Sequence, residues 1–238
     1  MLEVFIGYDP REHLGYKVAC ASLLKHCSAP VIINPIWASD LRADGFYTRP
    51  QSMRDGRIWD EISNAPCATE FSIARFAVPL MVTRGQWVLF CDVDFLFRAD
   101  IAELLRFADN SKAVQVVQHD HRPSESVKMD NQIQTAYPRK NWSSFMLWNM
   151  YHPGNDPRKF RVLLNTLPGR DLHALCWLAD KEIGSLPEEW NWLDGHSDPS
   201  IDPKAVHFTR GTPDMPGYEF TRYAPEWNRY ASLLSKGR

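Results

Sequence analysis

The sequence predicts an α/β fold built on a mostly parallel central sheet flanked by helices. Two observations carry that expectation. Leu2–Tyr8, Glu12–His26 and Val31–Asn34 read as strand, helix and strand within about 35 residues, and a helical crossover is what joins neighbouring parallel strands. Trp87-Val88-Leu89-Phe90-Cys91 is a short continuous apolar run, the pattern of a buried strand, and it leads straight into Asp92-Val93-Asp94. In open α/β sheets ligands gather at the carboxyl ends of strands, where these two carboxylates stand.

The first helix has the helical spacing of Leu14, Val18, Ala21 and Leu24 or Lys25. Residues Ser39–Thr69 lack a sustained period and are rich in Asp, Arg, Gly and Pro, so they read as a long excursion with short helical pieces. Phe71–Thr83 restores a helical stripe of Ile73, Phe76, Ala77, Leu80 and Met81, with Arg75 off the stripe and Pro79 predicting a kink or early stop. Gly85 breaks the chain before the strand that ends at Asp92. Ile101–Phe107 reads as a short amphipathic helix, Ala113–Gln118 and Phe145–Trp148 as strands, and Asp171–Ala179 as a helix with Leu172, Leu175, Cys176 and Ala179 inward. Pro187–Trp192 is irregular. Ala205–Phe208 is a short strand entering the Gly/Pro-rich stretch Thr209–Gly217, and Pro225–Leu234 is a closing amphipathic helix. No repeat or linker divides the chain, so residues 1–238 are expected to form one domain.

A net charge of −2 without a basic block argues against nucleic acid as a partner. No apolar run approaches the ~20 residues of a membrane span, and the first residues lack the regions of a signal peptide, which leaves only peripheral membrane association open. Five cysteines with no Cys-x-x-Cys pair speak against a disulfide framework or zinc knuckle. Cys20, Cys91 and Cys176 read as small core residues, and a reducing cytoplasm is the expected setting. Nine tryptophans and eight tyrosines would serve stacking on sugars or bases, and equally a core.

Two aspartates at a strand end are costly to desolvate unless solvent or a cation meets them. Their oxygens suit Mg²⁺ or Mn²⁺ bound together with phosphates, while a strand-end turn that merely caps the next element has the same residues. The order of motifs across most of the chain resembles that of a GT-A-fold glycosyltransferase, most closely the family 8 type that includes glycogenin and the bacterial lipooligosaccharide galactosyltransferases. The resemblance implies that Asp92 and Asp94 of Phe90-Cys91-Asp92-Val93-Asp94 hold Mn²⁺ or Mg²⁺ on the diphosphate of a nucleotide-sugar, with a UDP-sugar as the expected donor. Ala205-Val206-His207-Phe208-Thr209-Arg210-Gly211 is similar to the family's C-terminal His-Phe/Tyr-x-Gly motif, which makes His207 the third metal ligand. The family's following lysine is missing, and Arg210 stands as the alternative phosphate cation beside Gly211.

By the same resemblance Arg75 reaches the donor site, and Gly7, Tyr8 and Asp9 close the first strand where the base is held. Asp9 reads equally as a helix cap ahead of Pro10. Asn141–Asn149 is similar to the segment lining the donor sugar, with Ser143 and Ser144 facing hydroxyls. Asp171-Leu172-His173 takes the place of the family's Asp-Gln-Asp, so Asp171 and His173 become the catalytic candidates together with Arg75, and both the sugar and the retaining outcome are in question. Leu186-Pro187-Glu188-Glu189-Trp190-Asn191 matches Leu-Pro-x-x-Trp-Asn, with Trp190 and Asn191 structural. The expected acceptor is a glycan, a lipid-linked glycan or a small molecule. A metal-dependent phosphohydrolase or nucleotidyltransferase, and a non-catalytic nucleotide-sugar-binding module, are the alternatives to a sugar transferase.

Overall fold

The computed structural model describes residues 2–83, 85–119 and 139–236. Among them, β1 (Leu2–Gly7), α1 (His13–His26) and β2 (Val31–Ile36) form the expected parallel crossover, with β1 and β2 paired from Leu2↔Val31 to Gly7↔Ile36. The face α1 buries differs from the expected one. Gly15, Val18, Ala19, Ser22 and Leu23 are inside, whereas Leu24 is 55% exposed. The helix is turned because it also serves a strand on its far side: the Phe97 amide donates to Ser22 Oγ at 3.1 Å, so a hydroxyl belongs on the inner face.

The excursion holds α2 (Ala38–Ala43) and a small antiparallel sheet of β3 (Gln51–Arg54), β4 (Arg57–Asp60) and β5 (Ala65–Pro66), where the sequence suggests only helical pieces. The expected helix after it is segmented into α3 (Phe71–Ala74), a 3₁₀ turn at Arg75–Ala77 and α4 (Val78–Met81). Pro79 falls in the first turn of α4, where its missing N–H is harmless. Residues 71–79 are buried on every side, so Arg75 is off the stripe yet inside.

β6 (Trp87–Cys91) lies beside β1, and β7 (Phe95–Phe97) leaves for a different sheet. Then come β8 (Val114–Val116), β9 (Phe145–Asn149), α5 (Pro157–Thr166), α6 (Gly169–His173), β10 (Ile183–Ser185), β11 (Trp192–Leu193), β12 (Ala205–His207) and α7 (Ala224–Lys236). The central sheet runs β10-β8-β9-β6-β1-β2, with β9 antiparallel to both neighbours and the remaining pairs parallel. Its inner strands alternate between two cores: Val88, Phe90, Met146 and Trp148 point to one, Leu89, Cys91, Phe145 and Leu147 to the other. β11, β12 and β7 make a second sheet, with β12 antiparallel to β7.

The helix expected at Asp171–Ala179 stops early. Leu175 takes φ +55°, and Cys176 is exposed rather than a core residue, while Cys91 is buried. α5 has no counterpart among the expected elements, although Asp156 caps it and Pro157 opens it. All five cysteines are free thiols. No helix among the described residues is long and apolar enough to cross a membrane.

Candidate functional site

Asp92, Val93 and Asp94 form the bridge from the central sheet to the second sheet. The turn is held on both sides: the Asp92 amide donates to Ser144 O at 2.9 Å, and the Phe208 amide donates to Asp94 O at 3.0 Å. These bonds draw in Ser143–Ser144 and His207–Phe208, segments far away in sequence. Val93 is buried in the core, leaving the two carboxylates to its sides for the site. β12 lies against β7 with His207 opposite Phe95, and the two rings stack 4.5 Å apart.

One ligand atom each from Asp92, Asp94 and His207 lies within 4.8 Å of the others. His207 Nε2 is 3.3 Å from Asp94 Oδ1, a solvent-shielded oxygen whose approach to the ring does not make a hydrogen bond. His207 Nδ1 is engaged elsewhere, 2.9 Å from Asn191 Oδ1. Nε2 is thus the ring nitrogen that faces the aspartate pair. Two carboxylates and an imidazole are a fitting donor set for Mn²⁺.

Arg75 lies beneath this group. Its Nη1 is 2.7 Å from Asp92 Oδ1 and donates to Ser143 O at 3.1 Å, while Nε donates to Ser72 O at 3.0 Å. The guanidinium also sits over the Phe71 and Phe90 rings. Burial pushes the Asp92 carboxyl up to about 6, with Asp94 adding to the rise and Arg75 and His207 opposing it. Glu12 is a third carboxylate here, one that the sequence presents only as the start of the first helix. Burial, then the charges of Asp94, Asp9 and Asp92, raise it to about 8.

Ser143 Oγ is 2.7 Å from His173 Nδ1, which links α6 to Arg75 and the aspartate turn. Asp171 is half-buried on the same short helix. Ser144 is buried, and its hydroxyl donates to Asn141 O at 2.7 Å. At the end of β1 the carboxylate of Asp9 is fully engaged: Oδ1 accepts from the Arg11 amide and Nε, Oδ2 from Arg11 Nη2 and the Glu70 amide. It caps the turn Pro10–Glu12, as expected of an aspartate ahead of Pro10. Tyr8 is buried, with its ring 3.8 Å from that of Trp37 and its hydroxyl 2.9 Å from His13 Nδ1. Gly7 admits a close neighbour, and that neighbour is Phe71, whose ring would lie 2.2 Å from an added Cβ. Arg210 lies across the turn after β11, 3.7 Å from Asp194, while the Gly211 amide donates to Phe208 O. Gly195 there has φ +74°, and a Cβ would meet Arg210 Nη2 at 2.2 Å.

The chain is 44% identical over 229 residues to Protein CDI of Arabidopsis thaliana, covering 94% of this chain and 83% of that protein. The chain belongs to the Protein CDI family. No family model matches it. Among solved structures it superimposes on the galactosyltransferase LgtC in complex with donor and acceptor sugar analogues, with a TM-score of 0.62, 13% identity, and coverage of 98% of this chain and 96% of that one. The apo bifunctional glycosyltransferase WbbM gives a TM-score of 0.64 at 15% identity over 97% of this chain, which spans about half (49%) of WbbM. The glycosyltransferase GlyE of Streptococcus pneumoniae gives 0.60 at 12% identity, covering 97% of this chain and 61% of GlyE. At these identities the likeness establishes the fold: this member of the Protein CDI family has the GT-A architecture expected from its motifs.

Proposed function

We propose that this chain is a metal-dependent glycosyltransferase that moves the sugar of a UDP-linked donor to an acceptor hydroxyl with retention of configuration. The observation that carries the reading is the meeting of Asp92, Asp94 and the Nε2 atom of His207 at the strand ends of a GT-A sheet. Asp92, Asp94 and His207 are the residues that would hold the metal, Mn²⁺ or Mg²⁺. When bound, the cation acts as a Lewis acid on the diphosphate, whose negative charge grows as the sugar departs.

The protein's own part is charge placement and orientation. Arg75 opposes the rise that burial imposes on the Asp92 carboxyl and so favours its ionised form. Arg210, beside Gly211, supplies the phosphate cation that the family's lysine would give, while Gly7, Tyr8 and Asp9 shape the wall at the base. Ser143 and Ser144 order the donor-sugar wall, and Asp171 and His173 on α6 face the sugar. The bond from the anomeric carbon to the phosphate oxygen breaks as the acceptor oxygen bonds to the same face. The acceptor's proton passes to the departing phosphate oxygen, so no enzyme nucleophile is needed. The acceptor is a glycan, a lipid-linked glycan or a small molecule, and residues 1–238 act as one unit. Free thiols at all five cysteines support a cytoplasmic setting.

Thermal-shift screening with Mn²⁺ and a panel of nucleotide-sugars tests the proposal, because a ligand that binds only the folded state raises its melting temperature. The expected result is a Mn²⁺-dependent shift with one UDP-sugar. No shift with any UDP-linked donor would count against it.

A further inference from the structure

We propose that Asn191 is a positioning residue that fixes the proton of the neutral His207 ring on Nδ1 and so presents Nε2 as a preset ligand for the divalent cation. This rests on the metal reading above. The backbone carbonyl of Asn141 can only accept. Ser144 Oγ lies 2.7 Å from it and has a single proton, which it donates there. The serine's lone pairs must then meet its other neighbour, the Asn191 Nδ2 group at 3.0 Å, as acceptors. That contact orients the carboxamide, leaving Asn191 Oδ1 to face His207 Nδ1 at 2.9 Å. An amide oxygen accepts only, so Nδ1 carries the proton and the lone pair is left on Nε2.

The reversed chain fails on counting. Turning the amide over would put its NH₂ against the ring and set Asn191 Oδ1 beside two oxygens, Ser144 Oγ at 3.0 Å and the Asn141 carbonyl oxygen at 3.4 Å, with one hydroxyl proton among the three. Ser144, Asn191 and His207 are all nearly inaccessible, at 3%, 0% and 3% exposure, so water does not substitute for a missing member. The ring is also clamped by stacking on Phe95, which fixes the direction of Nε2 toward Asp94. Hydrogen bonds of this kind to a ligating histidine are typically worth about 10–100-fold in metal affinity. The wall segment Asn141–Ser144 and the metal ligand on β12 thereby form one connected unit, with Asn191 between them.

The test uses the full chain in two measurements. Nitrogen-15 NMR of the metal-free protein, followed to alkaline pH until the ring signals stop moving, should show His207 protonated on Nδ1, and in Asn191→Leu the proton should redistribute between the two nitrogens. Free-Mn²⁺ electron paramagnetic resonance should show affinity lowered about 10–100-fold in Asn191→Leu and largely restored in Asn191→Asp, which keeps an acceptor toward Nδ1. Wild-type His207 protonated on Nε2, or Asn191→Leu binding Mn²⁺ as the wild type does, would overturn the proposal. The wild-type spectrum needs no variant to fold. It also separates the two failures: an Nδ1–H ring in a protein that binds no Mn²⁺ sinks the metal reading and the ligand role with it, whereas an Nε2–H ring sinks the relay alone.

Discussion

Asp94 Oδ1 faces a ring nitrogen at 3.3 Å without a hydrogen bond, a contact between two groups that both commonly bind cations. Asp94→Asn removes the charge while keeping the shape, and should weaken Mn²⁺ binding by at least about tenfold in calorimetry, in line with the loss of one anionic ligand. The raised carboxyls give a pH signature with a definite sign. Asp92 at about 6 and Glu12 at about 8 hold protons in the folded chain that the unfolded chain releases near 4. Between those values the folded state binds more protons, so stability falls as pH rises. The metal-free chain should therefore show a higher urea midpoint at pH 5.5 than at pH 8.5. Because Asp92 must lose its proton to bind a cation, Mn²⁺ affinity should drop by up to about tenfold per pH unit below pH 6. Equal midpoints at the two pH values would contradict the charge placement.

At the scale of elements, the small sheet β3–β5 is tied to α5 and α6 by a buried ion pair and a neighbouring hydrogen bond. Arg49 Nη2 donates to Asp60 Oδ2 at 2.7 Å and Nη1 to Leu164 O at 3.0 Å, and the Gly169 amide at the start of α6 donates to Ser63 Oγ at 2.7 Å. Asp60→Ala leaves Arg49 charged and uncompensated, and should cost about 3–5 kcal/mol in denaturant unfolding. Gly7→Ala drives a methyl into the Phe71 ring and should cost about 1–3 kcal/mol by overpacking. These features mark where the sequence is opaque. The buried strands β1, β6 and β9 are legible because continuous apolar runs have few other fates. β3–β5 are not, because short, half-exposed strands of Arg, Gln and Trp carry no period. The burial of Arg75 is hidden for a related reason: a helical stripe assumes one solvent face, and residues 71–79 have none. Asn191 looks merely structural in the sequence, because its hydrogen bond to His207 depends on a strand pairing that no local pattern announces.

For the whole molecule, the order of motifs is the readable signal. His207 lies 113 residues beyond Asp94 in the numbering, yet the β7–β12 pairing brings it into one group with Asp92 and Asp94. The sequence leaves open the segment Asp171-Leu172-His173. Leu172 is wholly buried and supports α6 from inside, while His173 reaches Ser143, so the departure from the family pattern places an imidazole against the Ser143 hydroxyl. The most direct test of metal-dependent sugar transfer is release of UDP from a panel of UDP-sugars by the wild type and Asp94→Asn, with and without Mn²⁺. Mn²⁺-dependent release from a particular donor is expected for the wild type, and its loss for Asp94→Asn. Release that is indifferent to Mn²⁺ and to Asp94, or cleavage of simple phosphate monoesters with no turnover of any UDP-sugar, would contradict that assignment.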